Sequence, residues 1–237
     1  MVRGEMMRRI ARAVLCLLLL GGIVFPVHAD GALRDLDRRA IPMLVTRGAR
    51  LHKYGTGVVV GPSAILTAKH AVGASPEILL PRGTAVKGRT VCRARVEDLA
   101  VVRANLPRGT PYYTLSSRTP AVGEAIRVGG YPGRRWTATS GRVTHVISSA
   151  VLGGRRIRSP MIVFRPALSR GASGAPVLNR RGQVVGIFVA SNGRENYSIA
   201  FPAATALRVC RSYLKEPAAG HPPAPGDGGP WADPSLP

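Results

Sequence analysis

The sequence predicts an all-β fold, a barrel or a sandwich, and three observations carry that prediction. Short runs rich in Val and Ile recur between about residues 41 and 205, each broken by Gly, Pro or Asn. Several runs alternate polar with apolar residues, the period of a strand with one buried face. No long segment of helical periodicity separates the runs, which excludes a β-α-β architecture. Gly (28) and Pro (20) are frequent among 237 residues, as many short elements joined by turns require.

The first 29 residues read as a secretory signal peptide. Arg8, Arg9 and Arg12 precede the apolar core "AVLCLLLLGGIVF", and "VHA" supplies small residues at the positions a signal peptidase reads, with Ala29 last. The core is short for a stable span, although an uncleaved anchor is the alternative. No later apolar run reaches spanning length, so the remainder is expected to be periplasmic or secreted, without an integral membrane segment. Residues 30–40 are a polar lead-in.

Strand-like runs then follow in order. They are "YGTGVVVG" (54–61), "AILTA" (64–68), "RTVCRARV" (89–96), "LAVVRA" (99–104) and "EAIRVGG" (124–130), then "GRVTHVISSAV" (141–151), "RIRSPMIVF" (156–164), "QVVGIFVAS" (183–191) and "YSIAFPA" (197–203). The proline-bearing stretch 105–123 reads as the connection between two halves. One helix is predicted at about 203–215, with Leu207, Cys210 and Leu214 at three- and four-residue steps on one inward face. Residues 217–237, rich in Pro and Gly, have no composition for a core and are expected to be a disordered tail.

Loss of the leader changes two counts. Four arginines and one glutamate precede residue 30, leaving 30 basic against 11 acidic side chains in the mature chain. Arginine clusters at 133–135, 154–158 and 179–181 suit non-specific contact with polyanions, or are simply solvated. They are scattered, few aromatics interleave with them, and no nucleic-acid motif appears, so no specific nucleic-acid partner is expected. Cys16 also leaves, turning three cysteines into the pair Cys92 and Cys210. In an oxidising compartment a pair reads as one disulfide; two buried free thiols are the alternative.

No metal or cofactor is expected. His52, His70, His145 and His221 share no ligand spacing with one another or with cysteines, and no Gly-rich loop enters a helix as phosphate sites require. Three residues instead point to nucleophilic chemistry. Asp98 is the only aspartate between Asp37 and Asp227, and it heads the apolar run 99–102. An inward carboxylate there needs donors, either an imidazole N–H or nearby backbone amides. His70 ends a strand-turn-strand passage at "LTAKH", where a surface or core histidine is equally at home. Ser173 lies in "GASGAP", which alone also reads as a glycine-rich turn. A serine attacks only if a base takes its proton and donors meet the oxyanion that forms, and small neighbours let backbone N–H groups converge.

Taken together and in this order, "LTAKHAV", "EDLAVVRA" and "GASGAPVLNRRGQVVGI" resemble the His, Asp and Ser blocks of the chymotrypsin-like (trypsin-like) serine peptidases, especially the bacterial HtrA-like branch. "IRVGGYPG" and "YSIAFPA" are similar to weaker family features, so the resemblance spans about residues 41–214. It implies two six-stranded antiparallel β-barrels with a short C-terminal helix, the first at about 41–110 and the second at about 121–203. It implies polypeptide substrates and catalytic His70, Asp98 and Ser173, with the Gly171 and Ser173 N–H groups as oxyanion hole. Ala167, Val189 and Ser191 are the expected walls of a small or medium apolar side-chain pocket.

The chain departs from the family pattern at two positions. Ala172 stands where an Asp or Asn precedes the serine, and Ala175 stands where a Gly follows. No PDZ-like segment follows residue 216, so a stand-alone peptidase domain over 30–216 is expected, of unspecified oligomeric state. A trypsin-fold protein that binds polyanions or protein partners without cutting them is the competing expectation.

Overall fold

A computed structural model describes residues 36–47 and 52–214. The expected signal peptide and the expected tail lie outside those residues. Among the described residues twelve strands form two closed six-stranded barrels. The first runs β1 (Met43–Arg47), β2 (His52–Gly61), β3 (Ala64–Ala68), β4 (Glu77–Leu79), β5 (Ala85–Arg93) and β6 (Leu99–Ala104), closed in the order β1-β2-β3-β6-β5-β4. The second runs β7 (Ala125–Gly130), β8 (Thr137–Leu152), β9 (Arg155–Arg165), β10 (Pro176–Leu178), β11 (Val184–Asn192) and β12 (Tyr197–Pro202), closed as β10-β11-β12-β9-β8-β7. Every neighbouring pair is antiparallel. Closure leaves no free sheet edge, and bulges at Val59–Gly61, Thr90–Cys92 and Phe188–Ala190 supply the bends it requires.

Side-chain direction along β11, whose alternation is shifted by the register irregularity opposite Val177–Leu178, shows how the barrels meet. Val185 and Phe188 enter the core of barrel two with Ile126, Val128, Phe164 and Val177. Val184, Ile187 and Val189 face the other way, into a cluster continuous with Leu66, Leu99 and Val101 of barrel one. Both faces of the strand are covered, which is why "VVGIFVA" reads as an unbroken apolar run. The long β8–β9 hairpin continues past its own barrel, and Ile147, Ala150, Leu152 and Ile157 pack onto that same cluster. Its Ser159 hydroxyl donates to the buried carboxylate of Glu97, which also takes Arg208 from the C-terminal segment.

The C-terminal helix differs from the expected one. It spans Ala203–Val209, breaks at Cys210 (φ −120°, ψ 24°) and resumes as one turn, Arg211–Leu214. Its buried face is Ala203, Ala206 and Cys210, while Leu207 and Leu214 are only half-buried. Small alanine side chains let the helix approach the strands closely, and the leucines fall to its flanks.

Cys210 is joined to Cys92 on β5, tying residues 118 apart. Closing so long a loop restricts the unfolded chain. A Cys92→Ser/Cys210→Ser variant is expected to lose about 2–4 kcal/mol of stability, read from denaturant midpoints without reductant. An unchanged midpoint, or two titratable thiols in the native protein, would contradict the bridge. Among the described residues no helix is long and apolar enough to cross a membrane.

Candidate active site

Strand register brings His70 to Asp98. β3 pairs with β6 so that Ala68 faces Leu99, and the chain leaves β3 just where it enters β6. Residue 70, in the turn Lys69–Ala71, therefore lies beside residue 98. The Lys69 N–H donates to the Asp98 backbone oxygen at 3.2 Å, fixing this corner. Lys69 Nζ donates to the Ala94 oxygen (2.6 Å) and Arg93 donates to the Val72 oxygen (2.9 Å), bracing both flanks.

The Asp98 carboxylate accepts twice from one residue. Its Oδ1 takes the His70 backbone N–H at 2.9 Å, and its Oδ2 meets His70 Nδ1. A carboxylate only accepts, so Nδ1 carries a proton, and in the neutral ring Nε2 is left as an acceptor. Nε2 lies 2.9 Å from Ser173 Oγ. The imidazole thus presents an acceptor nitrogen to the Ser173 hydroxyl. The histidine side chain is 49% exposed and the aspartate 25%, so reactants reach the former while the latter is sheltered.

Ser173 stands in the loop between β9 and β10. Gly171 and Gly174 have φ of +97° and +91°, where only glycine is unstrained. A Cβ at Gly171 would strike the Tyr131 oxygen, and one at Gly174 the Thr56 oxygen and Thr67 hydroxyl, so the loop is pressed against the opposite wall. The Arg170 carbonyl accepts from Gly133 N–H at 2.9 Å and the Ala172 carbonyl from Ala175 N–H at 2.8 Å. Because a trans peptide points its C=O and N–H in opposite directions, the Gly171 and Ser173 N–H groups are turned away from those partners. Among the described residues neither N–H has an acceptor.

The two departing alanines are accommodated. Ala172 is 2% exposed and Ala175 fully buried, and both methyls belong to the barrel-two core. They face inward, so Ala175 adds its methyl to the packing and not to the open side of the loop.

The expected pocket residues do not all share one surface. Val189 is 5% exposed and sits in the inter-barrel cluster. Ala167 and Ser191 lie on adjacent segments, held by Ser191 Oγ donating to the Leu168 oxygen (2.6 Å). Ala167 N–H donates to Asn196 Oδ1, and Ser198 Oγ accepts from Leu168 N–H and donates to the Pro166 oxygen. Asn196 and Ser198 were not visible as site residues in the sequence, because what they do is hold backbone from a distant segment. The same is true of Thr56, whose only textual signal is "GTG" in β2.

Comparison with known proteins agrees with this architecture. A family model described as trypsin-like peptidase domain matches residues 55–187. A putative serine protease HhoA of Synechocystis is 34% identical over 172 residues, 68% of this chain and 43% of that protein. A probable periplasmic serine endoprotease DegP-like of Bartonella henselae is 28% identical over 69% of this chain and 34% of its own length. The chain thus spans about a third to a half of these curated relatives. Among solved structures, the active form of the Rv3671c protease of M. tuberculosis superposes with a TM-score of 0.70 at 18% identity, covering 82% of this chain and 92% of that one. The HtrA-type protease AlgW with tripeptide superposes at 0.65 and 23% identity, over 78% of this chain and 63% of that one. These two share the fold. The matched span runs from within β2, through His70, Asp98 and the Ser173 loop, into β11, and the chain therefore belongs to the trypsin-like peptidase domain family.

Proposed function

We propose that this protein is an exported serine endopeptidase that hydrolyses peptide bonds through an acyl-enzyme. The observation that carries the reading is the chain of contacts Asp98–His70–Ser173, with the basic Nε2 on the serine hydroxyl. In this mechanism Ser173 Oγ attacks the scissile carbonyl as His70 Nε2 removes its proton. The carbonyl oxygen, now anionic, receives the Gly171 and Ser173 N–H groups. Asp98 stabilises the imidazolium. The intermediate collapses as His70 protonates the leaving amine, leaving the acyl group on Ser173. A water, deprotonated by His70, then releases the acid and restores the serine.

Export rests on the leader-like residues 1–29 and on the Cys92–Cys210 bridge, which an oxidising compartment preserves. The peptidase domain is assigned to 30–216. The direct test is digestion of a peptide library by the purified protein, with new termini read by mass spectrometry. Cleavage that stops on fluorophosphonate treatment supports the reading; a library left intact opposes it. The same termini report which side chain Ala167 and Ser191 admit.

A second activity is favoured by one feature, a cleft of about 550 Å³ lined by Arg118, Arg142, Arg180 and Arg181. Arg118 is occupied by Glu124. The cleft lies at the start of β7 and beyond the end of β10, whereas Gly130 and Pro176, at the opposite ends of those strands, adjoin the Ser173 loop. We assign it to contact with polyanions, for which immobilised heparin is the probe. Arg180→Ala/Arg181→Ala should elute from immobilised heparin at lower salt, with the salt-dependence slope reduced by about two, one per guanidinium. Peptide hydrolysis should not change. Unaltered elution would remove this assignment.

A further inference from the structure

Thr56 is completely buried on β2, in the wall of barrel one that faces the Ser173 loop. All of its hydrogen-bonding groups are used, and they reach three separate segments. Its hydroxyl donates to the Gly171 oxygen at 2.9 Å and accepts the Tyr131 N–H at 3.0 Å. Its backbone N–H donates to the Ser173 oxygen at 2.8 Å. Its carbonyl accepts from the Thr67 hydroxyl at 2.7 Å, three residues before His70.

The consequences fall on the orientation of the oxyanion donors. The peptide plane after Gly171 is held directly, through the Gly171 oxygen. The plane before it, which carries the Gly171 N–H, is held by Gly133 N–H on the Arg170 oxygen. Gly133 belongs to the turn that Tyr131 begins, and Thr56 secures Tyr131. Both planes flanking Gly171 therefore depend on one hydroxyl, and the plane after Ser173 depends on the same residue's amide. Gly130 adds a steric reason for the fit: a Cβ there would meet the Thr56 hydroxyl at 2.9 Å and the Ala175 methyl at 3.1 Å.

We propose that Thr56 is a positioning residue that sets the oxyanion loop from the opposite barrel, coupling its shape to inter-barrel docking. This rests on the peptidase reading above. Thr56→Val keeps the shape and β-branching but removes the hydroxyl, leaving the Gly171 oxygen and Tyr131 N–H without that partner in a buried place. Thr56→Ser keeps the hydroxyl.

The test is the rate of covalent labelling by a fluorophosphonate probe, resolved into the maximal rate and the half-saturating concentration. Thr56→Val should label about 10- to 100-fold more slowly at saturation, with the half-saturating concentration within about threefold of wild type. Thr56→Ser should stay within about threefold in both. The Tyr131 amide in the wild-type protein should exchange slowly with deuterium, because the Thr56 hydroxyl is its acceptor. A folded Thr56→Val that labels at the wild-type rate overturns the proposal. So does a Thr56→Ser as slow as Thr56→Val, or a Tyr131 amide that exchanges at the open-chain rate; the last two decide the matter if the valine variant does not fold. A wild-type protein unlabelled at Ser173 would instead overturn the peptidase reading.

Discussion

Ser173→Ala is expected to lower peptide hydrolysis by about six orders of magnitude and to leave the fold intact. The size of the loss follows from what one oxygen does. In the proposed mechanism it is the atom that bonds to the substrate, and in its absence His70 has no nucleophile to activate. What remains is catalysis by the oxyanion donors acting on water, about a thousandfold over the uncatalysed rate. The structure gives little reason for instability. Among the described residues the hydroxyl bonds only to His70 Nε2, while the Ser173 carbonyl keeps its bond from Thr56 N–H and the neighbouring glycines retain their left-handed conformations. Melting temperature within a few degrees of wild type, together with loss of turnover in a quenched peptide assay, is the outcome expected. Turnover above a hundredth of wild type would move the chemistry to another residue.

Asp98→Asn is expected to cost about four orders of magnitude in turnover with a similarly small effect on folding. Asp98 accepts two bonds from His70, one from the backbone N–H and one at Nδ1. An amide can accept only through its oxygen. If that oxygen keeps the backbone N–H, the NH₂ faces Nδ1, which must then be the acceptor. The ring proton moves to Nε2, and the nitrogen beside Ser173 Oγ becomes a donor that cannot take the serine's proton. The effect is one of tautomer and charge, so the variant should still bind peptide and still present Ser173. Steady-state kinetics on the variant check it. A turnover loss below tenfold would mean that Asp98 does not orient the histidine.

Much of the architecture is legible in the sequence, for identifiable reasons. Runs such as "AILTA" and "LAVVRA" are strands in both readings, because Val, Ile and Leu at buried pleated positions leave few other choices. β1 and β4 were not anticipated as separate strands. β4 has three residues, too few to show a period, and β1 is a five-residue stretch following a polar lead-in. Both matter because they pair with each other to close barrel one, a contact between segments about 35 residues apart with no local signature. The helix begins where the sequence places it, and of its three expected inward residues Cys210 is buried while Leu207 and Leu214 are half-buried. Its leucines suggested burial, and the alanines that permit close approach won.

The candidate site divides in the same way. His70, Asp98 and Ser173 stand out through residue type and order, since each sits in a short block whose small or apolar neighbours are part of the pattern. Thr56 carries no such pattern, and Tyr131 and Gly133 are legible only as part of "IRVGGYPG", a similarity that gives them no role. Their role arises where β2, the turn after β7 and the Ser173 loop converge, and nothing in any one segment announces the other two. Val189 illustrates the reverse error. An apolar residue beyond the serine block suggested a pocket wall, whereas strand alternation turns it into the inter-barrel core.

Treatment of the purified, folded protein with a fluorophosphonate, followed by intact mass and peptide mapping, tests the central claim most directly. The account predicts a single adduct on the Ser173 hydroxyl, absent in Ser173→Ala. A folded protein that stays unmodified, or one modified elsewhere while Ser173 remains free, would contradict it.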